Sequence, residues 1–116
     1  MISRGEIYLA NLANLAPPGS HEPADLRPVL IVQNDIGNQY SSATIVAAIT
    51  VLITKRRLPT HVEVGARESG LAKDGVILLE QLCTLAKERL VRHVASLSTE
   101  KMAEVNRALG KSLQLD

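Results

Sequence analysis

The sequence has almost no aromatic side chains: its 116 residues include no Phe, no Trp and only two Tyr. Proteins that bind single-stranded nucleic acid without sequence preference usually stack the bases on aromatic side chains. This chain cannot build such a platform. Any nucleic-acid site in it must therefore rely on hydrogen bonds, arginine planes and shape.

Excess charge and cysteine are also scarce. Thirteen Lys and Arg against twelve Asp and Glu give a net charge of +1. Proteins that bind nucleic acid through phosphate contacts alone are usually far more basic. A nucleic-acid site must then be a local basic patch. The one cysteine, Cys83, excludes a disulfide within the chain. Because it lies in the apolar segment VILLEQLCTL, we predict a structural thiol that is at least half buried.

Signals for export, membrane insertion and metal binding are missing too. The N-terminal segment MISRGEIYLANL lacks the charged-then-apolar pattern of a signal peptide, and no apolar run approaches the roughly 18 residues of a membrane span. His21, His61 and His93 lie far apart, and no His or Cys pair has metal-ligand spacing. We therefore expect a cytoplasmic protein without membrane association, and we predict no metal and no cofactor.

Short aliphatic runs are what the chain does contain. Hydrophobic residues make up 46% of it, enough for the core of one domain over residues 1–116. After Ser98, a predicted N-cap, apolar residues recur every three or four positions and predict an amphipathic helix to the C-terminus. The runs with strand character are Ile7–Leu12, Pro28–Gln33, Thr44–Thr50, His61–Val64, Val76–Leu82 and Val91–Leu97.

This order of elements predicts an α+β fold that is mainly β. Short connections favour antiparallel pairing, because parallel strands need long crossovers. We expect a small, curled, barrel-like sheet with the terminal helix packed against it. One connection is long: the Pro-rich loop Asn14–Leu26 precedes the first buried strand and is placed to overhang a groove. Asn34 is predicted to cap a turn or short helix.

A few polar residues stand where chemistry is possible. Metal-free RNA cleavage needs a base for the 2′-hydroxyl, an acid for the leaving 5′-oxygen, and a cation or donors for the phosphorane. Arg matches phosphate oxygens, and His titrates near neutral pH. Each candidate also has a structural explanation as loop anchor, surface charge or β-former, so residue types alone do not establish a ribonuclease. The candidates are His21, Glu22, Arg27, Thr50, Glu80, Gln81 and the basic run Lys55-Arg56-Arg57.

Longer segments resemble one family, the MazF/PemK/Kid toxins, and in particular its Gram-positive MazF branch. The resemblance runs in order over essentially the whole chain and includes the terminal helix. It is carried by RGEIYLANL (Arg4–Leu12), RPVLIVQNDIGN (Arg27–Asn38), TIVAAIT (Thr44–Thr50), LPTHVEV (Leu58–Val64) and VILLEQLCTL (Val76–Leu85).

The resemblance implies a fold, a reaction and partners. The fold is a small curled antiparallel SH3-like barrel of the PemK/MazF/CcdB type with a C-terminal amphipathic helix. The reaction is metal-independent, sequence-specific cleavage of single-stranded mRNA that leaves 2′,3′-cyclic phosphate and 5′-hydroxyl ends. The partners are a second copy in a homodimer, a MazE-like antitoxin that covers the RNA groove, and operator DNA bound through that antitoxin.

Roles carry over position by position. Arg27 matches the catalytic arginine, which stabilises the phosphorane and is a candidate acid. Thr50 matches the threonine that holds the scissile phosphate, and His21 or Glu80 is the candidate base. The residues expected to bind RNA are Glu22, Lys55, Arg56, Arg57 and Gln81.

The sequence also departs from the family pattern. Pro23-Ala24-Asp25-Leu26 replaces the glycine-containing residues usual before the arginine, which stiffens the loop, and Cys83 replaces an arginine. Two alternatives remain open. One is a gyrase-inhibiting toxin of the same fold, although the missing Trp and the ending SLQLD count against it. The other is a non-cleaving relic that still binds its antitoxin.

Overall fold

The computed structural model describes residues 1–13, 26–51 and 57–116. Within these ranges, six strands form one antiparallel sheet in the order β4-β5-β3-β2-β1-β6. The prediction of a mainly β fold with a C-terminal helix is confirmed. The elements are β1 (Glu6–Asn11), β2 (Leu26–Ile31), α1 (Asp35–Tyr40), β3 (Ala43–Val51), β4 (His61–Val64), α2 (Ala66–Ser69), β5 (Gly75–Ala86), a 3-10 turn (Lys87–Arg89), β6 (Leu90–Ser96) and α3 (Thr99–Leu113).

Strand β2 is buried on both faces, as its continuous apolar run predicts. Leu30 and Val32 belong to the larger core, which also holds Val105 of α3. Val29 and Ile31 point the other way and belong to a second, smaller core. Because side chains alternate along a strand, a run without polar interruptions fills a core on each side of the sheet.

Helix α3 begins where the sequence predicts. The Ser98 side chain accepts a hydrogen bond from the backbone N–H of Lys101 at 3.1 Å, and Glu100 lies in the first turn. Val105 is fully buried, but Leu113 is 52% exposed. The apolar face of the helix therefore packs along most of its length and leaves the sheet near the C-terminus.

The cap of α1 is also confirmed. Asn34 accepts a hydrogen bond from the backbone N–H of Gly37 at 2.7 Å. Of the predicted alternatives, a turn or a short helix, the structure has the short helix Asp35–Tyr40. It connects β2 to β3, which are antiparallel neighbours.

Strand β5 differs most from the prediction, since it runs for 12 residues and contains an irregularity. Ala47 pairs with Leu82 but Ala48 pairs with Leu78, so residues 79–81 bulge out of the ladder. A bulge of this kind changes which alternate residues face the core. The prediction of a buried Cys83 is wrong: its side chain is exposed on the face of the smaller core.

The connection from β4 to β5 contains the short helix α2, which packs against β6. Gly70, which ends α2, has φ +72°, and a Cβ there would lie 3.1 Å from the carbonyl oxygen of Val94. Glycine, which has no Cβ, adopts this positive φ without strain and leaves room for the Val94 carbonyl. This contact joins the two ends of the curled sheet. No helix in the part of the chain described is long and apolar enough to cross a membrane.

Candidate active site

Arg27 and Thr50 lie near the ends of the neighbouring strands β2 and β3. The antiparallel ladder between these strands ends at the Val29–Ala48 pair. Arg27 and Thr50 each lie two residues beyond that pair on their own strand, and both line one pocket. The two residues assigned to phosphate chemistry therefore share a site at adjacent strand ends, and both are half buried.

A pocket of about 430 Å³ opens at this pair. The volume falls within the range of about 300–1,000 Å³ that is usual for ligand sites. One side comes from the ends of β2 and β3, and the other from the segment before β5. The lining residues are Leu26, Arg27, Pro28, Ile49, Thr50, Val51, Leu71, Ala72, Lys73, Asp74 and Gly75.

Gly75 fixes the position of the Thr50 backbone. It pairs with Val51, and a Cβ on it would lie 2.9 Å from the carbonyl oxygen of Thr50. Contacts that short are not tolerated, so any larger residue would push β5 away from β3. The glycine lets the wall of the pocket approach the residue that carries the hydroxyl.

Glu80, the candidate base, lies in a separate hydrogen-bonded cluster. The Thr60 hydroxyl donates to Glu80 Oε1 at 2.7 Å, and His61 Nε2 lies 3.1 Å from Glu80 Oε2. His61 Nδ1 accepts from the backbone N–H of Leu58 at 3.2 Å. A neutral imidazole has one donor and one acceptor nitrogen, so His61 donates to Glu80 through Nε2.

These contacts keep Glu80 ionised. Partial burial raises the pKa of its carboxyl, but hydrogen bonds from Thr60, its own backbone and His61 outweigh burial and leave the pKa below its ordinary value. The carboxyl does not line the Arg27–Thr50 pocket. Val76, the partner of Thr50, is four residues from Glu80, which is at most roughly 13 Å of strand.

Gln81 lines a second pocket of about 310 Å³, together with Val29, Ala48 and Cys83. Val29 and Ala48 are two residues from Arg27 and Thr50 along β2 and β3. The second pocket therefore begins near the first, although the two share no lining residue. Apart from the Gln81 amide, the lining of the second pocket is mostly aliphatic.

Of the remaining predicted site residues, four lie outside the described residues: His21, Glu22, Lys55 and Arg56. Arg57 donates to Glu63 Oε1 at 3.1 Å. Within residues 1–13, 26–51 and 57–116, no group of three His, Cys, Asp or Glu side chains is placed to hold a metal ion.

Two residues near the predicted sites were missed from the sequence. The sequence offers His61 only as a metal ligand without a suitably spaced partner, whereas in the structure its Nε2 lies 3.1 Å from Glu80 Oε2. Lys73 lines the Arg27–Thr50 pocket but lies in a short polar segment that has no periodicity. A lysine in such a segment gives no signal until the fold places it.

Comparison with known proteins adds to this geometry. The family model described as PemK-like, MazF-like toxin of type II toxin–antitoxin system matches residues 3–113. An endoribonuclease from a mycobacterial species, solved in complex with its cognate antitoxin, has a similar structure with a TM-score of 0.79 and 25% sequence identity. That match covers 100% of this chain and 98% of the other.

Two further structures agree in fold. The Mycobacterium tuberculosis toxin MazF-mt6 has a TM-score of 0.77 and 27% identity, covering 96% of this chain and 98% of its own. A MazE–MazF complex from Deinococcus radiodurans has a TM-score of 0.73 and 20% identity, covering 97% and 94%. At that lower identity the likeness concerns the fold alone.

Proposed function

Because this chain belongs to the PemK-like, MazF-like toxins of type II toxin–antitoxin systems, we propose that it is an endoribonuclease that cleaves single-stranded mRNA at the Arg27–Thr50 pocket. The observation that carries the proposal is that Arg27 and Thr50, on the adjacent strands β2 and β3, line one pocket of about 430 Å³. Similar structures at 25% and 27% identity are an endoribonuclease and a MazF toxin.

The proposed reaction is an in-line transesterification. A base removes the proton from the 2′-hydroxyl, and the 2′-oxygen forms a bond to phosphorus. The bond from phosphorus to the 5′-oxygen breaks, and an acid protonates that oxygen. The products are a 2′,3′-cyclic phosphate and a 5′-hydroxyl end. Side chains fill all three roles, so we expect the reaction to proceed without a metal ion.

Arg27 and Thr50 would act on the phosphate itself. The planar guanidinium of Arg27 matches two phosphate oxygens and stabilises the charge that grows on the phosphorane. The Thr50 hydroxyl, on the neighbouring strand, donates a hydrogen bond to a non-bridging phosphate oxygen. Arg27 is also the candidate acid, and His21 and Glu80 remain alternative bases.

The second pocket extends the proposed RNA path. Its lining residues Val29 and Ala48 are two residues from Arg27 and Thr50 along the strands, and it presents the amide of the exposed Gln81. An amide offers both donors and an acceptor to the edge of a splayed base. We assign it to a base that flanks the scissile phosphate. Glu22, Lys55, Arg56 and Arg57 complete the proposed RNA contacts.

Partners and placement are proposed with the same function. The mycobacterial relative was solved with its cognate antitoxin, and we propose that this chain likewise binds a MazE-like antitoxin and, through it, operator DNA. We further propose one domain over residues 1–116, a homodimer and a cytoplasmic location. The similarity to the Gram-positive MazF branch stays a prediction, because the comparisons support the family and not a branch within it.

One experiment tests the activity. The purified protein is incubated with a long single-stranded RNA and EDTA, and the new 5′ ends are mapped. We expect cuts within one recurring sequence, lost in Arg27→Ala and kept in Arg107→Ala, which removes an exposed arginine from α3. Intact RNA would refute the proposal, and cuts that persist in Arg27→Ala would reveal a contaminating nuclease.

The same preparations test the alternatives. DNA breaks that appear only with gyrase would establish the gyrase-inhibiting toxin. Intact RNA together with retained binding of a MazE-like antitoxin would establish the non-cleaving relic. Cleavage is the function that the placement of Arg27 and Thr50 in one pocket supports best.

A further inference from the structure

Lys73 lines the Arg27–Thr50 pocket on the side opposite the strands β2 and β3. The pocket is lined by β2 and β3 on one side and by the segment Leu71–Gly75 on the other. Lys73 supplies the cation of this segment. Its side chain is exposed, and the residue lines the pocket.

The segment that carries Lys73 is held at both ends. The Leu71 N–H donates to the Ser69 hydroxyl at 3.2 Å, and Leu71 packs against the larger core. Asp74 Oδ1 accepts from the Ala66 N–H at 2.8 Å. Gly75 is already part of β5. The backbone position of Lys73 is therefore set by its neighbours before any ligand arrives.

The charge of Lys73 is not used within the described structure. Among the lysines of the described ranges, Lys87 donates to the Asn38 carbonyl, Lys101 pairs with Glu68 and Glu104, and Lys111 pairs with Asp116. Lys73 has no ion pair or hydrogen bond with a described residue. The adjacent carboxylate of Asp74 is engaged with α2.

We propose that Lys73 binds a phosphodiester of the RNA next to the scissile one, and so holds the strand over the Arg27–Thr50 pair. This inference rests on the proposed ribonuclease function. The flexible stem and compact charge of a lysine suit a phosphate contact that needs no fixed geometry. Arg27 and Thr50 keep the scissile phosphate, and Lys73 is a binding residue that does not touch the reacting atoms.

The test separates binding from chemistry. The probe is a single-stranded RNA containing the mapped cut site, with a 2′-deoxy nucleotide at the attacking position so that it binds without being cleaved. Its Kd is measured by fluorescence anisotropy across a salt series for wild type, Lys73→Ala, Lys73→Arg and Lys111→Ala. Steady-state cleavage of the all-ribose RNA gives kcat and KM.

Lys73→Ala is expected to raise Kd and KM about two- to fivefold, the range for one exposed charge pair, with kcat unchanged. The slope of log Kd against log salt should become shallower by about 0.7, the value for one phosphate contact on a single strand. Lys73→Arg should restore both values. Lys111→Ala, on the far end of α3, should match the wild type.

An unchanged Kd and salt slope in Lys73→Ala would overturn the assignment, and so would a fall in kcat without a change in Kd. Failure of the proposed ribonuclease function would give a different result from failure of the Lys73 assignment. In that case the wild type itself leaves the all-ribose RNA intact, whereas failure of the Lys73 assignment leaves the wild type fully active.

Discussion

The Thr50 hydroxyl has one chemical task in the proposed reaction, to donate a hydrogen bond to a phosphate oxygen. The side chain is half buried at the end of β3 and lines the pocket with Arg27. Its β-branched shape suits a strand, and the shape is separable from the hydroxyl. Valine keeps the shape and removes the donor.

Thr50→Val should therefore lower kcat/KM about 10- to 100-fold, the effect of losing one hydrogen bond to a charged group. The fold should remain intact, because valine is at least as favourable in a strand. Cleavage kinetics and a thermal melt check the two expectations. A Thr50→Val variant with wild-type kinetics would show that Thr50 takes no part in cleavage. Thr44→Val is the contrasting case, because it breaks the buried hydrogen bond to Asn38 and should lower stability.

The identity of the base is decided by pH. Hydrogen bonds hold the pKa of Glu80 below its ordinary value, so this carboxylate is already ionised throughout the neutral range. If Glu80 is the base, kcat/KM should be flat between about pH 5.5 and 8. If His21 is the base, kcat/KM should rise through a pKa near 6.5, the usual value for histidine.

Variants sharpen this comparison. His21→Ala should flatten an acid limb that belongs to histidine, and Glu80→Gln should leave that limb in place. If Glu80→Gln abolishes cleavage while Thr60→Val, which removes the hydrogen bond to Glu80, does not, the carboxylate itself is the base. An acid limb unchanged in both His21→Ala and Glu80→Gln would exclude both candidates.

At the scale of single elements, Gly70 joins the connection after β4 to the edge strand β6. Gly70→Ala should destabilise the protein by about 1–3 kcal/mol, because alanine is strained at φ +72° and its Cβ would approach the Val94 carbonyl at 3.1 Å. Chemical denaturation of the wild type and the variant measures the difference in the free energy of unfolding.

Gly110→Ala is the matched control. Gly110 lies inside α3, where a Cβ would meet nothing closer than 3.9 Å. Alanine there should be neutral or stabilise by up to about 1 kcal/mol, because it is the better helix former. Equal effects at the two glycines would contradict the role given to the Gly70 contact.

The elements also show what a sequence can and cannot predict. The runs in β2 and β3 and the cap of α3 are local signals, and their elements were predicted within a few residues. The exposure of Cys83 was not, because it follows from the bulge at residues 79–81, which depends on pairing with β3. Helix α2 is too short and polar to show a period.

The site residues, too, include some that the sequence could predict and some that it could not. Arg27 and Thr50 were identified because each adjoins an apolar run that resembles the family, and the structure places both in one pocket. Lys73 and His61 required the three-dimensional structure. Each acts through partners distant in sequence: Lys73 shares a pocket with Arg27, and His61 binds Glu80.

At the scale of the whole molecule, the prediction concerns assembly. Several large apolar side chains are exposed, among them Ile36 at 75% and Tyr40 at 77%, which lie one turn apart on α1. Exposed apolar surface often marks an interface. Light scattering at micromolar concentration should give a mass twice the 12.5 kDa of one chain. A mass of one chain would contradict the homodimer.

The pocket also sets the earliest point in synthesis at which the proposed active site can form. Arg27 and Thr50 leave the ribosome early, but the segment that closes the pocket ends at Gly75, whose strand lies beside β3. A nascent chain shorter than this presents an open strand edge and no enclosed site. If this pocket is the cleavage site, we expect products that end before Gly75 to carry Arg27 and Thr50 without a complete pocket, and to leave RNA intact.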